Sequence, residues 1–159
     1  MEKEILNSGA SKECEILEFR AGGNSYGVNV SDIREVLPYN KKPTPVPNSH
    51  PFIEGIIMPR DFIIPIIDFV KSFKLSSTDE FRHEMLIVTG ISDLNIAFHV
   101  DSVKGIHRVM NTDITKPGKK LTTSLKGVIT GIIEREDRKI EVLELRKIIS
   151  EINPEVSLG

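Results

Sequence analysis

Gly55-Ile-Ile-Met-Pro-Arg-Asp-Phe-Ile-Ile-Pro-Ile-Ile-Asp-Phe69 is the most apolar run of the chain, and Pro59-Arg60-Asp61 interrupts it in the middle. Two β-branched runs flanking a short charged break predict two strands joined by a tight turn. The pattern returns 76 positions later as Gly131-Ile-Ile-Glu-Arg-Glu-Asp-Arg-Lys-Ile-Glu-Val-Leu-Glu-Leu145. Each copy opens on Gly-Ile-Ile, has an aspartate six residues after the glycine (Asp61, Asp137), and closes on an aliphatic pair, an acid and a large apolar residue. A duplicated hairpin is therefore the unit from which the fold is read.

Upstream of the first hairpin, Glu15-Ile-Leu-Glu-Phe-Arg20 and Asn24-Ser-Tyr-Gly-Val-Asn-Val30 alternate around Gly22-Gly23 and predict a strand pair. Ser31 is placed to cap a short helix over Asp32–Leu37, which Pro38 would end. Pro43, Pro45, Pro47 and Pro51 then stiffen an extended connection. Asp68 is placed to cap one helical turn at Phe69–Phe73. The second half repeats this order. Met85–Thr89 and Leu94–Val100 predict strands, and Asp101 is placed to cap a short helix over Ser102–Ile106. Apolar positions in Tyr26–Val36 and Ile96–Ile106 match at an offset of 70. Leu145, Ile148, Ile149 and Ile152 are spaced i, i+3, i+4, i+7 and predict an amphipathic C-terminal helix, which Pro154 stops. The expected fold class is all-β with short helices: two small antiparallel barrels in tandem, with a groove between them where a partner can dock.

Composition narrows the function. With 39% apolar and 28% charged residues in 159, the chain has the balance of a globular protein, able to bury about 70% of its extended-chain surface. A net charge of −2 and the absence of tryptophan speak against a nucleic-acid surface, and no aromatics interleave with Lys116, Lys119, Lys120 and Lys126. Met1–Ser8 has no apolar signal core, and no run approaches the roughly 20 apolar residues that span a bilayer. The single cysteine, Cys14, excludes an internal disulfide, so a cytoplasmic location is expected. Gly118-Lys119-Lys120 is not a phosphate loop, because Asp113 stands where its first glycine belongs. His50, His83, His99 and His107 have no metal-ligand spacing, and no catalytic residue, metal or cofactor is expected. Asp68 and Glu144 close equivalent hairpins, which suits capping rather than acid–base work. One rival remains a small ligand-binding or enzymatic barrel in which His99 and His107 converge on a carboxylate; another is a nucleic-acid-binding barrel. Without a visible active site, the charged hairpin tip at Arg60 is the first candidate for partner contact, since a rigid guanidinium fork suits a carboxylate or carbonyl.

Taken in order, the motifs form a set. Tyr26-Gly-Val-Asn-Val-Ser-Asp-Ile-Arg-Glu-Val-Leu-Pro38, Val46-Pro47, His50-Pro-Phe-Ile-Glu-Gly55, Arg60, Ile64-Pro-Ile-Ile-Asp-Phe69, Phe98-His-Val-Asp-Ser-Val103 and Gly131–Leu145 together resemble the CheW-like chemotaxis coupling domains. The resemblance spans about residues 14–152 and takes in both CheW and the N-terminal module of CheV. It implies two five-stranded SH3-like barrels, roughly 14–75 and 83–152, with terminal strands free to exchange between them. Residues 1–13 would be a flexible arm and 153–159 a tail or the start of a linker. It further implies an adaptor that joins the cytoplasmic tips of methyl-accepting chemotaxis receptors to the regulatory domain of the histidine kinase CheA. Such an adaptor is not an enzyme, meets the membrane only through receptors, and is a monomer or self-associates weakly. Carried over position by position, the resemblance puts Ile33, Glu35, Gly55, Arg60 and Ile106 on the coupling surfaces. One departure stands out: the family's hairpin tip reads approximately Asn-Leu-Arg-Gly, and this chain has Met58-Pro59-Arg60-Asp61.

Overall fold

A computed structural model describes residues 11–75, 83–91, 93–117 and 127–152. The first hairpin pairs β1 (Glu13–Ala21) with β2 (Asn24–Asn29) around Gly22 and Gly23, both at positive φ. At Gly22 a side chain is also impossible on space: an added Cβ would stand 2.6 Å from Leu75 Cβ. A 3-10 turn (Val30–Asp32) leads into β3 (Ile33–Pro38). The duplicated unit follows as β4 (Ile53–Ile57) and β5 (Ile64–Asp68), antiparallel as expected, and Asp68 caps α1 (Phe69–Ser72) by accepting from Lys71 N at 3.0 Å. The second half supplies β6 (Met85–Ile91), β7 (Leu94–Val100), β8 (Ser102–Met110), β9 (Ile129–Glu134), β10 (Lys139–Leu143) and α2 (Leu145–Ile152).

Two expected helices are strands. Residues 33–37, read as a helix from Ile33, Val36 and Leu37, form β3 against β6, with Glu35 opposite Val88 and Leu37 opposite Leu86. Residues 102–106 open β8, which pairs with β1 along most of its length. Both segments have apolar residues at spacings that a helix would also use. β-branched side chains and the open edges of β6 and β1 decide for the ladder. A register shift in each pairing, between Ile33 and Glu35 and between Glu18 and Phe19, produces the off-period spacing that looked helical. The capping expectations at these two places fail with the helices. Asn29, not Ser31, supplies the cap oxygen of the 3-10 turn, accepting from Ser31 N at 2.9 Å. Asp101 accepts instead from Gly22 N at 2.9 Å, tying the start of β8 to the first turn.

The ten strands form two five-stranded sheets with the orders β8-β1-β2-β10-β9 and β3-β6-β7-β5-β4. Substituting each strand by the one five places on converts one order into the other, so the sequence repeat is a structural repeat. Each sheet draws strands from both halves of the chain. Within each, one junction is parallel: Ile140 lies opposite Ser25, and Ile66 opposite Ala97. Alternation along the strands then divides the core. Ile16, Val109, Ile133, Ile140 and Val142 cluster on one side of the first sheet, and Ile64, Ile66, Leu86, Val88 and Ala97 on the corresponding side of the second. The opposite sides share the largest cluster, which includes Leu17, Phe19, Tyr26, Phe69, Ile87, Phe98 and Ile148.

Aromatic rings sit at the centre of that shared layer. Phe69, fully buried, meets Phe19 edge-on at 5.0 Å and Tyr26 at 5.1 Å, so a residue of the first repeated hairpin packs on the other sheet. Phe69→Ala is expected to lower the unfolding free energy by about 3–5 kcal/mol, the range for deleting a buried aromatic ring. A urea titration with both sheets lost in one transition checks this.

Candidate functional site

The loop between β4 and β5 is longer than a tight turn and exposes Met58, Phe62 and Ile63, each about 60% accessible. Asp61 takes φ +65°, the left-handed position where the family's tip has glycine. Asparagine and aspartate enter that region more readily than other non-glycine residues, so the departure in sequence leaves the turn intact. Arg60 projects from this turn with its side chain 67% exposed. Its Nη2 donates to both carboxylate oxygens of Glu35 on β3, at 2.6 Å to Oε1.

Two grooves meet at this tip. A polar one of about 360 Å³ runs between Arg34, Glu35, Pro59 and Arg60, with Ile64 and Val88 at its floor. An apolar one of about 310 Å³ lies between Phe62 and Ile63 on one side and Ile149 and Ile152 of α2 on the other, floored by Ile53, Leu94 and Ile96. Phe62 and Asn95 border both, with Ile64 and Val88 under one groove on one side of the second sheet and Leu94 and Ile96 under the other on the side of the shared core.

The five expected surface residues separate in space. Glu35 and Arg60 come together. Ile33 starts β3 beside them, half-buried against the shared core. Gly55 is buried in β4, and a Cβ there would stand 2.4 Å from the Thr44 carbonyl oxygen. Its bare backbone therefore admits the proline-rich segment, with Thr44 and Ile56 exchanging backbone hydrogen bonds of 3.0 and 2.8 Å. Ile106 lies on β8 in the other sheet, opposite Leu17 and 56% exposed. Phe62 and Ile63 were not foreseen as surface, nor Ile152 as half-exposed, whereas Ile149 is buried in the shared core even as it backs the groove. The first two looked like strand interior, and Ile152 like the end of a helix stripe buried along its whole length.

The second hairpin tip is built differently. Glu18 on β1 is 1% exposed and is clasped by Arg138, with Nε to Oε2 at 2.7 Å and Nη2 to Oε1 at 2.8 Å. His107 Nε2 adds a contact of 2.7 Å to the same carboxylate, and Arg135 reaches His107 Nδ1 at 3.5 Å. Burial by itself would raise the Glu18 pKa, but the hydrogen bonds and charge of Arg138, with His107, bring it down to about 2. Seventy positions on, the second sheet has Val88 in place of Glu18. One tip is thus tied down by a buried ion cluster, and the other by an exposed Arg60–Glu35 pair over an apolar floor.

The histidines do not converge. His107 belongs to the Glu18 cluster of the first sheet, whereas His99 lies on β7 of the second, between Glu54 and Glu84. That overturns the geometry a histidine-based barrel enzyme requires. Among the described residues no three histidine, cysteine or acidic side chains are grouped to hold a metal ion. Cys14 is a free thiol packed beside Ile16 and its neighbours. Glu144 accepts from Arg146 N at 3.3 Å at the start of α2, in keeping with a capping role. Of the basic loop, Lys119, Lys120 and Lys126 lie outside the described residues. No helix among the described residues is long and apolar enough to cross a membrane.

Two interlocked five-stranded sheets of this order, with two grooves adjoining one hairpin tip, define an all-β protein with short helices. The chain belongs to the CheW-like domain family, whose profile matches residues 15–153. It is similar to the chemotaxis protein CheW of Thermotoga maritima, with 33% identity over 145 residues, covering 90% of this chain and 92% of that one. CheV3 of Helicobacter pylori is 27% identical over 165 residues, covering 96% of this chain and 52% of that protein. Among solved structures, the scaffolding protein TtCheW from Thermoanaerobacter tengcongensis superposes with a TM-score of 0.80 at 26% identity, over 92% of this chain and 99% of that one.

A carboxyl whose pKa is lowered in the folded protein adds stability above its ordinary range near 4.5, and that stability is lost as pH falls toward 2. Glu18→Gln should therefore lose roughly 3 kcal/mol at pH 7 and should show a shallower acid-side decline than the wild type between about pH 4.5 and 2, by the share that Glu18 contributes. Chemical denaturation at stepped pH measures both.

Proposed function

We propose that this protein is a chemotaxis coupling adaptor that holds the cytoplasmic tips of methyl-accepting receptors and the regulatory domain of the histidine kinase CheA in one complex. The observation that carries the reading is the apolar groove between the hairpin tip and α2, along Phe62, Ile63, Leu94, Ile96, Ile149 and Ile152, with Arg60 and Glu35 in the neighbouring groove that shares Phe62. An amphipathic helix lays its apolar stripe into such a trough, so a helical segment of the receptor tip would fit it. Arg60 then chooses between carboxylates. Its exposed pair with Glu35 is worth only about 0.2–1 kcal/mol, so an acidic residue of the partner can displace Glu35. Family membership supports this reading, as do relatives named as chemotaxis proteins and a structural neighbour named as a scaffolding protein.

In this account Ile33, Glu35 and Arg60 serve the receptor side, and Gly55 keeps the tip's supporting strand against Thr44. Ile106, an exposed apolar residue on the other sheet, belongs to the kinase side, and two faces on two sheets let both partners bind together. The adaptor transmits receptor state by geometry, with no chemistry of its own. It works in the cytoplasm as a monomer or weakly associating protein, reaching the membrane through receptors. Residues 14–152 would act as one unit in which the halves 14–75 and 83–152 exchange strands, with 153–159 as a tail or the start of a linker.

Arg60→Glu turns the polar groove acidic and faces it with Glu35. Capture of a receptor-tip fragment is expected to fall about tenfold or more, while the melting temperature moves by no more than about 2–4 °C, as an exposed pair allows. Undiminished capture by a folded Arg60→Glu protein rejects the groove.

A further inference from the structure

Both ring nitrogens of His99 face carboxylates: Nδ1 is 2.5 Å from Glu54 Oε2, and Nε2 is 2.9 Å from Glu84 Oε1. The ring also lies flat on Tyr39, with centroids 3.7 Å apart and planes 5° from parallel. Tyr39 in turn donates its hydroxyl to the other Glu54 oxygen at 2.7 Å. A neutral imidazole has one N–H and one lone pair, so it can satisfy only one of two flanking carboxylates and repels the other. The imidazolium donates to both. Burial opposes that charge, but the hydrogen bonds and charges of Glu54 and then Glu84 outweigh it, and the ring's pKa is raised above 6.5.

Four separate stretches of chain meet here. Tyr39 directly follows β3, Glu54 is on β4, Glu84 directly precedes β6, and His99 is on β7. In the sheet order β5 separates β4 from β7, so the Glu54–His99 contact spans a strand. The backbone adds Tyr39 N to Glu84 O at 3.1 Å. On β5 the acid in register with His99 is Asp68, whose Oδ1 is held by Lys71 N at 3.0 Å. Tyr39 does not titrate in the window of the histidine, because burial and the Glu54 carboxylate push its hydroxyl well above the ordinary range. Beyond the cluster, the proline-rich segment is held to β4 by the hydrogen bonds between Thr44 and Ile56.

We propose that His99, as the imidazolium, is a pH-operated latch that clasps the segment from Tyr39 to Pro51 onto β4, and that loss of its proton opens this segment locally while the other sheet stays closed. A group whose folded pKa is raised stabilises fully below its unfolded value near 6.5, and the contribution disappears as pH rises through the folded value. The latch is therefore closed in mild acid and released in alkali. It stands independently of the docking reading, because its readouts are structural.

The test is an NMR titration of the ¹⁵N-labelled wild-type protein, following the His99 ring nitrogens and the amide protection factors of Thr44 and Ile56. Both nitrogens should carry protons at pH 6.5. Protection at Thr44 and Ile56 should fall in step with the ring's titration, in total about tenfold for each unit by which the folded pKa exceeds 6.5. Amides of the β1–β2 hairpin should keep their protection. Glu84→Gln should move the titration down, and His99→Gln should make protection at Thr44 and Ile56 independent of pH over the same range. A ring already neutral at pH 6.5, or protection that stays flat while the ring titrates, overturns the proposal, and both are read from the wild type alone.

Discussion

The parallel pairing of β2 with β10, and of β7 with β5, obliges each half of the chain to complete the other's sheet. A parallel neighbour cannot be reached by a short turn, so each junction joins strands distant in sequence. The hairpin β1–β2 lies between β8 and β10, and β6–β7 between β3 and β5. Neither sheet exists without strands from both repeats, and the shared layer around Phe19, Tyr26 and Phe69 is closed only when both have formed. The groove depends on this interlocking, since its two walls come from the first repeated hairpin and from the C-terminal helix.

Within that near-symmetry the useful features are the asymmetries. Glu18 and Val88 occupy matching places, yet one anchors Arg138 and His107 while the other floors a groove. The buried carboxylate immobilises the second tip. The apolar counterpart leaves the first tip to present Arg60, Phe62 and Ile63 outward. Duplication thus supplies two equivalent frames that differ at their ends, one closed over a buried ion cluster and one exposing apolar side chains.

The hairpins were legible because alternation and turn residues are local signals, and Asp68 and the 145–152 stripe carried their own capping and periodicity. β3 and β8 were not legible. Ile33, Val36 and Leu37 suit a helix as well as a strand, and the deciding ladder is supplied by β6, far along the chain. Arg60 could be singled out as a charged residue between apolar runs, but its proximity to Glu35 follows only from the sheet order. Tyr39, Glu54, Glu84 and His99 share no motif, and folding alone brings them together. Phe62 and Ile63 misled because a continuous apolar run reads as interior, whereas here it covers the outside of a tip.

In the proposed function, two partners engage separate faces of one interlocked domain at the same time. Sedimentation of a mixture of receptor-tip fragment and kinase regulatory domain, with and without this protein, tests it most directly. One heavier three-component boundary is expected, appearing only when this protein is added. Competition between the two partners for it, so that only two-component species form, would contradict the account.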